Sequence, residues 1–142
     1  MLLTLAAQHG YQMRQIDVVG AFLNGDMDKQ VFMKQPLQFI QSSEEDLVCK
    51  LCKALYGLKQ AGLVWNKRFN DFLVGSLQFQ CVSADPCIYI IKKDDKFVIL
   101  RLHIDDSLMI HNDNTFCDMV INKITAEFEI TDLGKPTYLL RM

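Results

Sequence analysis

Three carboxylates carry the chemistry this sequence suggests. Asp17 closes an apolar run, Ile16-Asp17-Val18-Val19, and Asp105-Asp106 separates two more, residues 97–104 and 107–110. An ionised carboxylate in apolar surroundings is costly unless a positive charge compensates it. Two adjacent acids repel, and a third brought alongside by a sheet repels both. A divalent cation resolves that conflict, and Mg²⁺ favours hard carboxylate oxygens together with substrate phosphates. Two such ions about 3.5–4 Å apart make the clamp of in-line phosphoryl transfer. One lowers the pKa of an attacking hydroxyl and the other neutralises a leaving pyrophosphate. A plainer reading stands beside this one: Asp-Asp is an acceptable exposed turn, as Asp94-Asp95 is, and Asp17 then only ends a strand.

Periodicity supplies the elements that must position these acids. Leu2–His9 reads as the last turns of a helix, closed by Gly10 as a left-handed cap and uncapped at its start, which implies preceding chain. Residues 11–18 alternate as a strand, and Asn24-Gly25 marks a turn over residues 21–26. Residues 31–34 and 47–51 are short strands flanking an acidic loop at 41–46. A helix is predicted over residues 59–76, because Trp65, Phe69, Phe72 and Leu73 recur at helical spacing until Gly75 stops it. Strands follow at 87–92, 96–104 and 107–111, with Asp94-Asp95 and Asp105-Asp106 as their hairpin turns. A second helix spans 115–128, capped by Asp113 or Asn114, with Phe116, Met119, Val120, Ile124 and Phe128 as its buried stripe. Residues 133–136 turn into a last strand that runs to the chain end. With no repeat, no linker and no βαβ alternation, the chain reads as one α+β domain: an antiparallel sheet with helices packed on one face.

Composition narrows the function classes. The 142 residues are 50% hydrophobic, enough for a core. Fifteen basic against seventeen acidic residues give a net charge of -2, which excludes a strongly basic domain held on phosphate by counterion release. No apolar window is long enough to span a membrane, and the first seven residues lack the flanks of a signal peptide. Five scattered cysteines, an odd number, point to a reducing interior, cytoplasmic or nuclear rather than secreted. Cys49-x-x-Cys52 has neither a second pair nor a histidine pair, so both are expected as buried structural thiols.

Longer words then become recognisable. Gln15-Ile16-Asp17-Val18-Val19-Gly20-Ala21-Phe22-Leu23-Asn24-Gly25 resembles the first palm motif of copia-type retrotransposon reverse transcriptases. Leu55-Tyr56-Gly57-Leu58-Lys59-Gln60-Ala61 followed by Trp65 resembles that family's most distinctive motif. His103-Ile104-Asp105-Asp106 is similar to its aromatic-hydrophobic-Asp-Asp hairpin, and residues 128–134 to the segment after its palm helix. Order and spacing agree across nearly the whole chain.

The resemblance implies an RNA-directed DNA polymerase that adds deoxynucleotides to a primer 3′-hydroxyl. It implies Asp17, Asp105 and Asp106 as catalytic metal-binding acids, a further ligand in the Val18 backbone carbonyl, and two Mg²⁺ ions with Mn²⁺ as substitute. Phe22 falls at the steric gate, where an aromatic face leaves no room for a 2′-hydroxyl. Ala21 would adjoin the incoming nucleotide, Gln60 would contact that nucleotide or the template, and Lys59 would meet phosphate or solvent. His103 stands at the primer-placement position, while Tyr56 and Trp65 are expected to pack. In these terms residues 1–142 are a single partial domain, a palm with part of the inner fingers. Its partners would be template–primer, deoxynucleoside triphosphates, and polyprotein regions beyond it: outer fingers, thumb, ribonuclease H and integrase.

Several positions depart from the family pattern. Gly62-Leu63 replaces Pro-Arg and removes a phosphate contact. Cys52 stands where Lys is common and Val19-Gly20 where Lys-Thr or Lys-Ser is common, and the end reads Leu140-Arg141-Met142 instead of Leu-Gly-Ile. His103 replaces an aromatic residue, usually Tyr, and adds a titratable group beside the acids. Two other readings therefore stay open. One is a non-enzymatic remnant or domesticated module with a palm fold. The other is a metal-dependent phosphotransferase or nucleotidyl cyclase, which gives no account of the motif at residues 55–65.

Overall fold

The computed structural model describes residues 2–40 and 46–136. Its elements in chain order are α1 (Leu2–His9), β1 (Gln12–Val18), a 3₁₀ turn (Ala21–Asn24), β2 (Phe32–Lys34), a second 3₁₀ turn (Leu37–Phe39) and β3 (Val48–Lys50). Then come α2 (Ala61–Asp71) with a π-helical turn (Phe72–Ser76), β4 (Gln80–Val82), β5 (Asp85–Lys93), β6 (Lys96–His103), β7 (Asp106–His111), α3 (Asn114–Thr125) and β8 (Ile130–Gly134). Six strands form one antiparallel sheet in the order β4-β5-β6-β7-β1-β8, and β2 pairs with β3 as a separate ribbon. The chain is therefore α+β. Among the described residues no helix is long and apolar enough to cross a membrane.

Strand side chains alternate between faces, and both faces of this sheet find cover. On one face Ile16, Val18, Tyr89, Val98, Leu100, Leu102 and Met109 meet α2 and α3. Trp65, Phe69 and Leu73 supply the α2 side, and Phe116, Val120 and Ile124 the α3 side. Phe128 closes this core, its ring 5.2 to 5.5 Å from those of Trp65, Phe69 and Phe72. On the opposite face Leu108 and Ile110 pack with Ala6 of α1, flanked by Met13 and Ile99. The expectation of helices on one face is thus corrected. Ser107 to His111 of β7 are all buried, and a strand buried on both sides needs a second cover.

Other expectations shift by smaller amounts. The hairpin turn is Ile104-Asp105, and Asp106 already pairs in β7. The apolar Ile104 reads as strand in sequence, yet its φ of 57° is left-handed. Asp113 is the cap of α3, its carboxylate accepting the Phe116 N–H at 2.7 Å. Met119 leaves the helix stripe and is exposed, while Cys117 and Ile121 lie inside. β4 is an additional strand, and β8 precedes the expected last strand, whose continuation past residue 136 lies outside the described residues. So does most of the acidic loop, at 41–45. Cys52 is exposed and Cys49 half-buried, so they are not the buried thiols expected, and all five cysteines are free.

Candidate active site

Burial of Ile16 and Val18 in the helix-covered core turns Asp17 and Gln15 to the other face of β1. Antiparallel register sets Asp17 directly opposite Asp106, and Asp106 opposite His103. Asp105 follows in the turn, where its carbonyl accepts the Val18 N–H at 3.0 Å. The sheet therefore brings Asp17, Val18, His103, Asp105 and Asp106 to one end of the β6–β7–β1 segment. The acids are half-buried and His103 is exposed.

Each acid has its own environment. The Asp17 carboxyl is pushed above its ordinary value by burial first, then by the charges of Asp105 and Asp106. Gln15, two residues before Asp17 and 9% exposed, donates its side-chain amide to Asp106 at 3.1 Å. One Asp105 oxygen accepts the Asp106 N–H at 3.2 Å, and the other lies 3.5 Å from the Tyr56 hydroxyl. That hydroxyl is held above its ordinary value by burial and by the charges of Asp105 and Asp17.

The turn carrying Asp105 is strained and held. A β-branched residue at positive φ costs about 1–3 kcal/mol and persists only where surrounding contacts impose it. Here the indole N–H of Trp65 donates to the Ile104 carbonyl at 2.6 Å, while Val18 holds the next carbonyl. Trp65 is 1% exposed, so α2 anchors the turn from within the core.

The 3₁₀ turn after β1 carries buried Ala21 and half-buried Phe22. Gly25 lets it approach α2, because a Cβ there would stand 2.8 Å from the Val64 side chain and 3.3 Å from the Trp65 backbone nitrogen. The Phe22 ring lies 4.3 Å from that of Tyr56, tilted by 45°. Behind the acid turn, Phe22, Gly62, Trp65, Cys87, Leu102 and His103 line a cavity of about 210 Å³. Gln60 is half-buried just ahead of α2, and its side chain has no hydrogen-bond partner among the described residues.

Three contributors escape a reading by motif alone. Gln15 was signalled only by lying two residues from Asp17 on the same strand face. Trp65 packs as expected, but its buried indole N–H also needs an acceptor and finds it at the turn. Tyr56 packs, but on Phe22 at the site and not in the core: it is 57% exposed.

The acids offer only hard oxygens, the donor type suited to Mg²⁺. Among the described residues no three His, Cys, Asp or Glu side chains are grouped so that they could by themselves hold a metal ion. Any Mg²⁺ held by these acids would have to draw the rest of its shell from substrate phosphates and water.

A family model described as reverse transcriptase (RNA-dependent DNA polymerase) matches residues 1–141. The chain is 35% identical over 142 residues to the retrovirus-related Pol polyprotein from transposon TNT 1-94 of Nicotiana tabacum, covering 99% of itself and 11% of that protein. It is 31% identical to the retrovirus-related Pol polyprotein from transposon RE1 of Arabidopsis thaliana, over 99% of itself and 10% of the relative. The putative transposon Ty5-1 protein YCL074W of Saccharomyces cerevisiae is 32% identical over 84% of this chain and 39% of its own. The chain spans about a tenth of the length of the two Pol polyproteins. No solved structure matches it.

Proposed function

Because the chain belongs to the reverse transcriptase (RNA-dependent DNA polymerase) family, we propose that its acidic sheet end performs RNA-directed DNA synthesis, joining a deoxynucleotide to a primer 3′-hydroxyl. The observation that carries this reading is the pairing of Asp17 with Asp106 beside Asp105, with the Asp17 carboxyl raised by its neighbours. Asp17, Asp105, Asp106 and the Val18 backbone carbonyl would hold two Mg²⁺ ions, or Mn²⁺ in their place, which supply the positive charge of phosphoryl transfer when bound. The chain's own residues set the geometry. Gln15 holds one oxygen of Asp106 and leaves the other open, and Trp65 fixes the turn that presents Asp105. Phe22, with Ala21 beneath it, faces the sugar, and Gln60 adjoins the incoming nucleotide. His103, exposed beside Asp106, supports the primer end.

On this reading the six-stranded sheet is a palm and the β2–β3 ribbon part of the inner fingers. Grip on the template–primer comes from other regions of a polyprotein such as those of the relatives. Primer extension on a primed RNA template with Mg²⁺ tests the proposal, with Asp105→Asn as the comparison. Extension by the unsubstituted chain and none by the variant is expected. Equal background signals from both would remove the enzymatic reading for this chain.

A further inference from the structure

We infer that Tyr56 is a specificity-determining residue: its ring, set against Phe22 beside Asp105, is the second wall of the sugar site and holds Phe22 where it excludes a 2′-hydroxyl. The inference rests on the polymerase reading of the site and gives a specificity role to a residue expected from its motif only to pack.

Local backbone explains how Tyr56 arrives there. The Leu58 N–H donates to the Leu55 carbonyl at 3.2 Å, closing a four-residue turn, and Gly57 has φ of 95°. A glycine at positive φ in the third position is the signature of a type II turn, which leaves the second residue, Tyr56, projecting from its corner. The Ala61 N–H then bonds to the Leu58 carbonyl at 3.1 Å, so the turn runs directly into α2. The Tyr-Gly pair thus presents a ring; it does not bury one.

The contacts of that ring fit a wall. Rings that serve the core here are closed off, with Trp65 at 1% and Tyr89 at 0% exposure, whereas Tyr56 keeps 57%. Its inner side meets Phe22 at 4.3 Å, and its hydroxyl stands 3.5 Å from Asp105. Phe22 comes from the short turn after β1 and is half-buried, one side of its ring against the helix-covered core and another against Tyr56. Tyr56 backs it with an aromatic contact worth more than its buried area alone. The hydroxyl, 3.5 Å from an Asp105 oxygen, sets the outer end of the ring beside the turn that carries the acids.

Equilibrium binding of dATP and of ATP to the 142-residue chain in Mg²⁺ tests this without requiring turnover. The unsubstituted chain is expected to prefer dATP. Tyr56→Ala is expected to cut that preference about tenfold, equivalent to about 1.4 kcal/mol, with its melting temperature nearly unchanged because the residue is mostly exposed. Tyr56→Phe keeps the ring and should keep the preference. Adding Tyr56→Ala to Phe22→Ala should bring no further loss, the signature of two residues acting as one unit. Undiminished preference in Tyr56→Ala overturns the inference, and so does a chain that binds neither nucleotide. A chain whose dATP preference depends on Tyr56 but which extends no primer supports the wall and removes the polymerase reading alone.

Discussion

Asp17 pays for its position in the fold. Burial and two neighbouring carboxylates raise its pKa, so the folded chain holds that proton more tightly than the unfolded chain does. Its contribution favours folding in acid and is lost as pH rises through the ordinary carboxylate range to the raised folded value. Asp17→Asn is therefore expected to melt a few degrees above the unsubstituted chain at pH 7, with the gap closing near pH 3. Added Mg²⁺ should raise the melting temperature of the unsubstituted chain and leave that of the variant nearly unmoved. Scanning calorimetry with and without the ion checks both. Trp65→Phe makes the opposite test, since it removes the donor to Ile104 and also leaves a gap in the core where the larger indole stood; a cost of at least about 1–3 kcal/mol in urea unfolding is expected. The acids themselves were legible in sequence, because carboxylates interrupting apolar runs stand out. The grip of Trp65 on the turn was not, because it depends on the approach of α2 to a hairpin 39 residues away.

At the scale of elements, the acid turn and the β1 crosslink are the informative pieces. Ile104→Gly should relieve about 1–3 kcal/mol of strain against about 0.5–1 kcal/mol for glycine's extra freedom when unfolded. The net expectation is a chain more stable by about 1 kcal/mol, read from the urea midpoint, and slower in primer extension because Asp105 is less fixed. Arg14 of β1 pairs with Asp118 of α3 and Asp132 of β8 and so ties three elements together. Its hydrogen bond holds the Asp132 carboxyl below the usual carboxylate range. That stability is present above the unfolded value and lost as pH falls, opposite in sign to Asp17. Asp132→Asn should cost about 1 kcal/mol or less at pH 7, given partial exposure, and nothing in strong acid. The long helices and the β5–β6–β7 hairpins were readable because apolar periodicity marks them. β4 and β8 were not: both are short edge strands, largely exposed, and carry little of that pattern. Nor does alternation reveal which helix takes which face, although the continuous burial along β7 explains afterwards why α1 lies opposite the other two.

For the molecule as a whole, charge and connectivity set the limits. With a net charge of -2 and its acids gathered at one sheet end, the chain should bind a primed template only in the non-specific range, with a dissociation constant of about 10⁻⁴–10⁻⁶ M at physiological salt. Fluorescence anisotropy against salt concentration measures this; nanomolar binding would contradict it. The placement of β1 has a consequence for motion. It is hydrogen-bonded on both sides, to β7 and to β8, whereas among the described residues the β2–β3 ribbon joins the body through one bridge, the Lys53–Asp26 ion pair and a few backbone bonds, and exposes Phe32 and Val48. Amide protons of Ile16 and Val18 should exchange with deuterium only when the sheet opens entirely, while those of Met33 and Cys49 exchange through local opening of the ribbon. The acids then keep their mutual register while the ribbon breathes.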